Sequence, residues 1–252
     1  MKSSLTNNPW IINLKSSASA SLRLFCFPYA GGSSQIFRPW LNRVPETIAI
    51  CPIELPGRGF QLKSAPYKQM EPLVQAIAEV ILPYLDQPFA FFGHSMGAVI
   101  SFELARLIRR QHNLKPSHLF VSAHRAPQVP DPEPPIHNLP QAEFIEELRK
   151  LNGTPEKVLN NAELMELLIP ILRADFSVLE NYQYRPEATL DCPISVFGGR
   201  QDQKVQPEEL SRWREQTCRS FELKMLEGDH FFINSAPSLL PELVQQLAIY
   251  ID

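Results

Sequence analysis

The sequence predicts one α/β domain over residues 1–252, a mostly parallel central sheet flanked by helices and interrupted by a helical insertion. Three observations carry this. Short β-branched or aromatic runs alternate with longer amphipathic stretches, the pattern of a sheet covered on both faces. A chain of 252 residues, 44% hydrophobic and 20% charged, has the material for one large core. The alternation breaks once, in a proline-rich stretch followed by helical patterns rather than a strand.

In chain order, the strands are 22–27, 48–53, 89–92, 118–122 and 194–197, all apolar enough to be buried on both faces, and 221–226, which alternates more and is placed nearer an edge. Helices are expected at 72–85, 98–111, 207–217 and 237–250. Between the fourth and fifth strands, Pro127 to Pro140 holds six prolines in 14 residues, incompatible with a core helix or a central strand. Beyond it Phe144, Ile145, Leu148 and Leu151 share a helical face, Gly153 is a stop, and Thr154-Pro155 is a cap followed by a first turn. Leu164, Leu167, Leu168, Ile171, Leu172, Phe176 and Leu179 form a second apolar stripe, bent at Pro170. The insertion, about residues 128–185, is read as a lid over the site rather than as padding of the core.

Composition narrows the function. A formal net charge of −3 argues against a partner such as nucleic acid or an anionic membrane. No apolar run approaches the roughly 20 residues that span a bilayer. The Trp10-Ile11-Ile12 patch is too short for a signal-peptide core, so the expected location is cytoplasmic. Cys26, Cys51, Cys192 and Cys218 include no Cys-x-x-Cys pair, and three lie in or beside apolar runs, which points away from a metal or disulfide role. Ser, His and Asp remain for chemistry.

The sharpest local signal is Gly93-His94-Ser95-Met96-Gly97. With 10 glycines in the chain, chance supplies about 0.03 such patterns. Here it joins a strand to a helix, the context of a nucleophile elbow and of the α/β-hydrolase fold. The alternative is a helix-capping serine. A serine needs a base, and in this fold the order is Ser, acid, His. Of six histidines, His230 follows the last strand and every acid candidate, and is chosen as the base, with His124 second. His94 adjoins Ser95 and its ring must point elsewhere; His112 and His118 belong to the wrong end of the sheet, and His137 to the proline-rich segment. Asp202, just after the fifth strand, is the acid that orients His230. Asp229 adjoins His230 and is read as shaping the loop, Asp191 precedes its strand, and Asp175 could meet either the catalytic residues or solvent. The oxyanion hole takes one N–H from Met96 and one from the Pro28-Tyr29-Ala30-Gly31-Gly32 loop, from Ala30 or Tyr29.

Six blocks now stand in order: Phe27 to Gly32, Glu54-Leu55-Pro56-Gly57-Arg58-Gly59, Gly93 to Ala98, Ser122-Ala123-His124-Arg125-Ala126-Pro127, Gly198-Gly199-Arg200-Gln201-Asp202, and Gly228-Asp229-His230-Phe231-Phe232. Together they resemble the type II (external, editing) thioesterases of nonribosomal peptide and polyketide synthesis. The resemblance runs from about residue 22 to the C-terminus; residues 1 to about 20 offer no match. The fourth block departs from it, with Ala123 and His124 where that family usually has Gly and Arg.

The resemblance implies hydrolysis of acyl thioesters on the phosphopantetheine arm of acyl or peptidyl carrier protein domains, through an acyl-serine; the protein itself is expected to be a monomer. It implies no cofactor, because the pantetheine belongs to the substrate. Carrier proteins are acidic, so Arg38, Arg43, Arg58, Lys63 and Lys68 are candidates for docking, though such charges are more often plain surface. The rivals are a medium- or long-chain fatty acyl-carrier-protein thioesterase, another esterase, lipase or aminopeptidase of the fold, and a non-hydrolytic acyltransferase or binding module.

Overall fold

The computed structural model describes residues 8–12 and 20–251. The remainder of the N-terminal stretch lies outside them. Six strands form one parallel sheet: β1 (Leu22–Phe27), β2 (Ile48–Pro52), β3 (Phe89–His94), β4 (His118–Ser122), β5 (Ile194–Gly199) and β6 (Phe221–Leu226), in the order β2-β1-β3-β4-β5-β6. The first five are buried along their whole length, and β6, with its alternating pattern, is an edge as expected.

Side-chain period splits the core into two layers. Phe25, Phe27 and Phe91 point to the face covered by α1 (Met70–Ile81) and α2 (Met96–His112). Leu22, Leu24, Cys26 and Phe92 point to the face covered by a 3₁₀ helix over Ser34–Trp40 and, farther along, α7 (Leu239–Leu247). Edge-to-face rings at 5.6 and 6.1 Å join Phe91 to Phe27 and Phe25. Ile11 is buried and bridges Ile53 in antiparallel fashion, so the Trp10 patch packs at the β2 edge.

The connections locate the site. Those after β1, β3, β4, β5 and β6 all leave the carboxyl end of the sheet, where ligands bind in open parallel sheets. The helices deviate from their expected bounds at prolines and caps. α1 gives way to a 3₁₀ turn at Leu82–Tyr84, where Pro83 lacks an N–H, and α7 starts at Leu239, two residues late. The helix expected over 207–217 divides into α6 (Pro207–Ser211) and a 3₁₀ helix (Arg212–Gln216).

Between β4 and β5 stand α3 (Gln141–Leu151), α4 (Glu156–Leu159) and α5 (Ala162–Glu180). They share a small core of Phe144, Leu148, Leu159, Met165, Ile169 and Leu172. Pro155 is the N-cap of α4 rather than its first turn. Leu164 and Leu167 are exposed, and Met165 and Ile169 face inward instead. Residues 164–172 are apolar at almost every position, so periodicity alone does not choose the face there. α5 runs through Pro170 as one helix. The proline-rich segment is tied to α5: Glu180 accepts from the N–H groups of Ile136 and His137, and Arg173 donates to the carbonyls of His137 and Leu139.

Candidate active site

Ser95 occupies the turn between β3 and α2 with φ +53° and ψ −114°, a conformation that L-residues rarely adopt. Two features hold it there. Its N–H donates to the Ser122 carbonyl at 2.7 Å, anchoring the turn to the end of β4. A Cβ on Gly93 would run into the backbone of Gly97, and one on Gly97 would run into the Phe27 carbonyl and lie 2.9 Å from the Pro28 oxygen. Both glycines are therefore required by close backbone approach, as the motif suggested.

His230 enters from the loop after β6, with Nε2 3.0 Å from Ser95 Oγ and Nδ1 2.8 Å from Asp202 Oδ2. Asp202 hangs from the loop after β5, its side chain 1% exposed. Burial pushes its pKa upward, but hydrogen bonds from His230 and from the N–H groups of Lys204 and Val205 outweigh this and hold it below the usual carboxylate range. The residue is thus a carboxylate at neutral pH, and it fixes the Nδ1–H tautomer of His230. Nε2 is left bare toward Ser95, the state needed to take a proton.

A second histidine, unassigned in the sequence, supports the first. The His94 ring turns away from Ser95: Nδ1 lies 2.9 Å from Ser122 Oγ, and Nε2 lies 2.9 Å from the His230 carbonyl. Burial, reinforced by the neighbouring His230, pushes its pKa down to about 3, so the ring is neutral. Nε2–H then donates to His230 and Nδ1 accepts from Ser122, tying the elbow to the loop that carries His230. Asp229 accepts from the Phe231 N–H at 2.9 Å, the loop-shaping part expected of it.

The other histidines are placed elsewhere. His124 lines the cavity but its Nδ1 lies 2.7 Å from the Arg125 carbonyl. His118 bonds to Ser195 at the opposite end of the sheet, and His137 pairs with Glu180.

The candidate oxyanion donors can be followed group by group. Met96 is the first residue of α2, and its N–H has no acceptor within the helix. In the loop after β1, Gly32 N–H donates to the Tyr29 carbonyl at 2.9 Å and Gly31 N–H to Asp175 Oδ2 at 2.7 Å. Pro28 has no N–H. Tyr29 and Ala30 thus keep N–H groups that no hydrogen bond among the described residues takes up.

Two other residues depart from expectation. Asp175 meets neither His230 nor solvent; it is buried against Arg58, Nη1 and Nη2 each 2.7 Å from a carboxylate oxygen. Arg58 is therefore unavailable for docking, whereas Arg38, Arg43, Lys63 and Lys68 are exposed. The buried pair had no local signal beyond the Gly57-Arg58-Gly59 run itself.

Ser95 and His230 open onto a cavity of about 830 Å³, within the size range of small-molecule sites. Tyr29, Ala30 and Phe231 line its reactive end; Leu148, Leu151, Val158, Leu168, Leu172 and Phe176 of the insertion line the apolar wall. Gly153 lies so close to the Phe231 ring that a Cβ would collide with it. Among the described residues no group of His, Cys, Asp and Glu could hold a metal ion, and no helix is long and apolar enough to cross a membrane.

Comparison with known proteins places this geometry. A family model described as a thioesterase domain matches residues 22–248. The gramicidin S biosynthesis protein GrsT of Aneurinibacillus migulanus is 50% identical over 226 residues, covering 90% of this chain and 88% of its own. The RedJ thioesterase of the prodiginine pathway in Streptomyces coelicolor superposes with a TM-score of 0.83 at 39% identity, over 92% of this chain and 87% of its own. The type II thioesterase BorB from the borrelidin cluster gives 0.85 at 31% identity, over 98% and 99%.

Proposed function

This chain belongs to the thioesterase family, and on that premise we propose that it is an editing thioesterase that hydrolyses acyl groups from the phosphopantetheine arm of carrier protein domains in a nonribosomal peptide or polyketide synthase. The observation that carries the reading is the hydrogen-bonded line from Asp202 through His230 to Ser95, opening onto a cavity walled by the α3–α5 insertion.

In the proposed mechanism, Ser95 Oγ attacks the thioester carbonyl while His230 Nε2 takes its proton. The oxyanion is met by Met96 N–H and by Tyr29 or Ala30 N–H. Collapse breaks the C–S bond, and His230 returns the proton to the departing pantetheine sulfur. Water, deprotonated by His230, then attacks the acyl-serine; the acid departs and Ser95 regains its proton. Asp202 stays ionised throughout and stabilises the imidazolium.

The chain supplies every group in this scheme, so the proposal includes no cofactor. It treats residues of about 128–185 as the lid, the protein as a cytoplasmic monomer, and an acidic carrier as its partner, with exposed Arg38, Arg43, Lys63 and Lys68 available to meet it. The test compares one acyl group delivered three ways: on a carrier protein, on N-acetylcysteamine, and as an ethyl ester. The expected order of kcat/KM is carrier first and oxygen ester last. Equal rates on all three would overturn the carrier assignment. A preference confined to chains of ten carbons or more would replace editing with fatty acid release.

A further inference from the structure

The Glu54-to-Gly59 block has no part in the Ser95 mechanism, yet both terminal nitrogens of its Arg58 are engaged. Arg58 is 6% and Asp175 3% exposed. Asp175 Oδ2 accepts from Arg58 Nη1 and from the Gly31 N–H, each at 2.7 Å, while Oδ1 accepts from Nη2. Arg58 Nη1 also donates to the Gly32 carbonyl at 2.9 Å. The pair therefore grips the oxyanion loop at a donor of Gly31 and at an acceptor of Gly32.

Two further contacts point the same way. Gly31 has φ +76°, and a Cβ there would lie 2.5 Å from Leu172 Cδ2, one turn before Asp175 on α5. Glu54 receives the N–H and hydroxyl of Ser34 at 3.2 and 2.7 Å, pinning the far end of the same loop. Arg58 Nε is buried with no hydrogen-bond partner, a cost the site bears to keep the fork aimed at Asp175 and Gly32.

We propose that Asp175 and Arg58 are positioning residues that set the oxyanion loop, and that they make its donor geometry depend on helix α5 being seated. Because the Gly31 N–H is spent on Asp175, the loop is turned so that Tyr29 and Ala30 N–H are left for the oxyanion. Lifting α5 removes the carboxylate and Leu172 together, so an unseated insertion leaves a loop without its anchor. The proposal rests on the acyl-serine reading above.

The test uses the full chain, with the hexanoyl thioester of N-acetylcysteamine as substrate. A hexyl trifluoromethyl ketone reports the tetrahedral adduct, and the matching thioether reports ground-state binding. Asp175→Asn keeps the volume and one acceptor. Arg58→Met/Asp175→Leu removes both buried charges at once and leaves neither unpaired, whereas Asp175→Asn leaves the Arg58 charge without its counter-ion and should melt at a lower temperature. Both variants are expected to keep a cooperative melting transition, while kcat falls about 10-fold and about 100-fold respectively, the latter the scale of losing one oxyanion donor. KM and thioether affinity should stay within about threefold, and ketone affinity should fall in step with kcat. A folded double variant with wild-type kcat would overturn the proposal, as would an Asp175→Asn enzyme whose thioether affinity falls as much as its ketone affinity. Failure of the underlying reading has its own signature: turnover that survives Ser95→Ala.

Discussion

Replacing Asp202 by Asn tests the electrostatics of the site at almost constant shape. The Lys204 N–H donates to Asp202 Oδ1 at 2.8 Å, so an Asn keeps its oxygen there and presents its NH₂ to His230. Nδ1 of His230 then has to accept, which moves the ring proton to Nε2 and aims an N–H at Ser95 Oγ. The base is lost through the wrong tautomer. The imidazolium formed during attack also loses its counter-charge. At the 2.8 Å separation of Nδ1 and Oδ2, with an effective dielectric constant of about 20, that interaction is about 6 kcal/mol, or some four decades in rate. The Asp202 side chain is only 1% exposed, so water does not take over this role. The assay is kcat/KM on an N-acetylcysteamine thioester, with the melting temperature as a control for folding. A loss of about 10⁴-fold is expected; a folded variant within tenfold of the parent would refute the assigned roles of Asp202 and His230.

Two further outcomes follow from packing and from buried histidines. Gly97→Ala drives a methyl into the Phe27 and Pro28 carbonyls, which belong to the strand and loop of the proposed oxyanion site. It is expected to cost about 2–3 kcal/mol and to lower the melting temperature by about 5–10 °C by calorimetry, with activity lost besides. Burial pushes the pKa of His94 down to about 3, and those of His118 and His124 to about 4. The unfolded chain binds protons at these positions near pH 6.5 while the folded chain does not. Stability should therefore be full above about pH 6.5 and fall as pH drops toward 4, by about 2 kcal/mol per histidine at pH 5. Urea midpoints measured from pH 7.5 to 5 check this, and His118→Asn should remove about a third of the slope; a flat profile contradicts it.

What was legible in the sequence had a local cause. Ser95 stood out because close backbone approach demands glycine at 93 and 97. His230 and Asp202 followed from chain order, since each leaves the carboxyl end of a strand. The edge position of β6 was visible in its alternation. What was missed depends on contacts between distant segments. Arg58 and Asp175 are 117 positions apart, so one looked like a docking charge and the other remained open. The bonds of His94 to Ser122 and to the His230 carbonyl cross 28 and 136 positions. On α5 the fault was saturation: with apolar residues nearly throughout 164–172, only packing against Phe144 and Leu148 decides that Met165 and Ile169 turn inward.

The central claim is a covalent acyl group on Ser95, and intact-mass spectrometry of the enzyme quenched in acid within milliseconds of mixing with an acyl thioester tests it most directly. The account predicts a mass increase equal to the acyl group, mapped by peptide fragmentation to the segment holding Ser95 and absent in Ser95→Ala. Full turnover by Ser95→Ala, or an acyl group mapped to any other residue on the productive path, would contradict it.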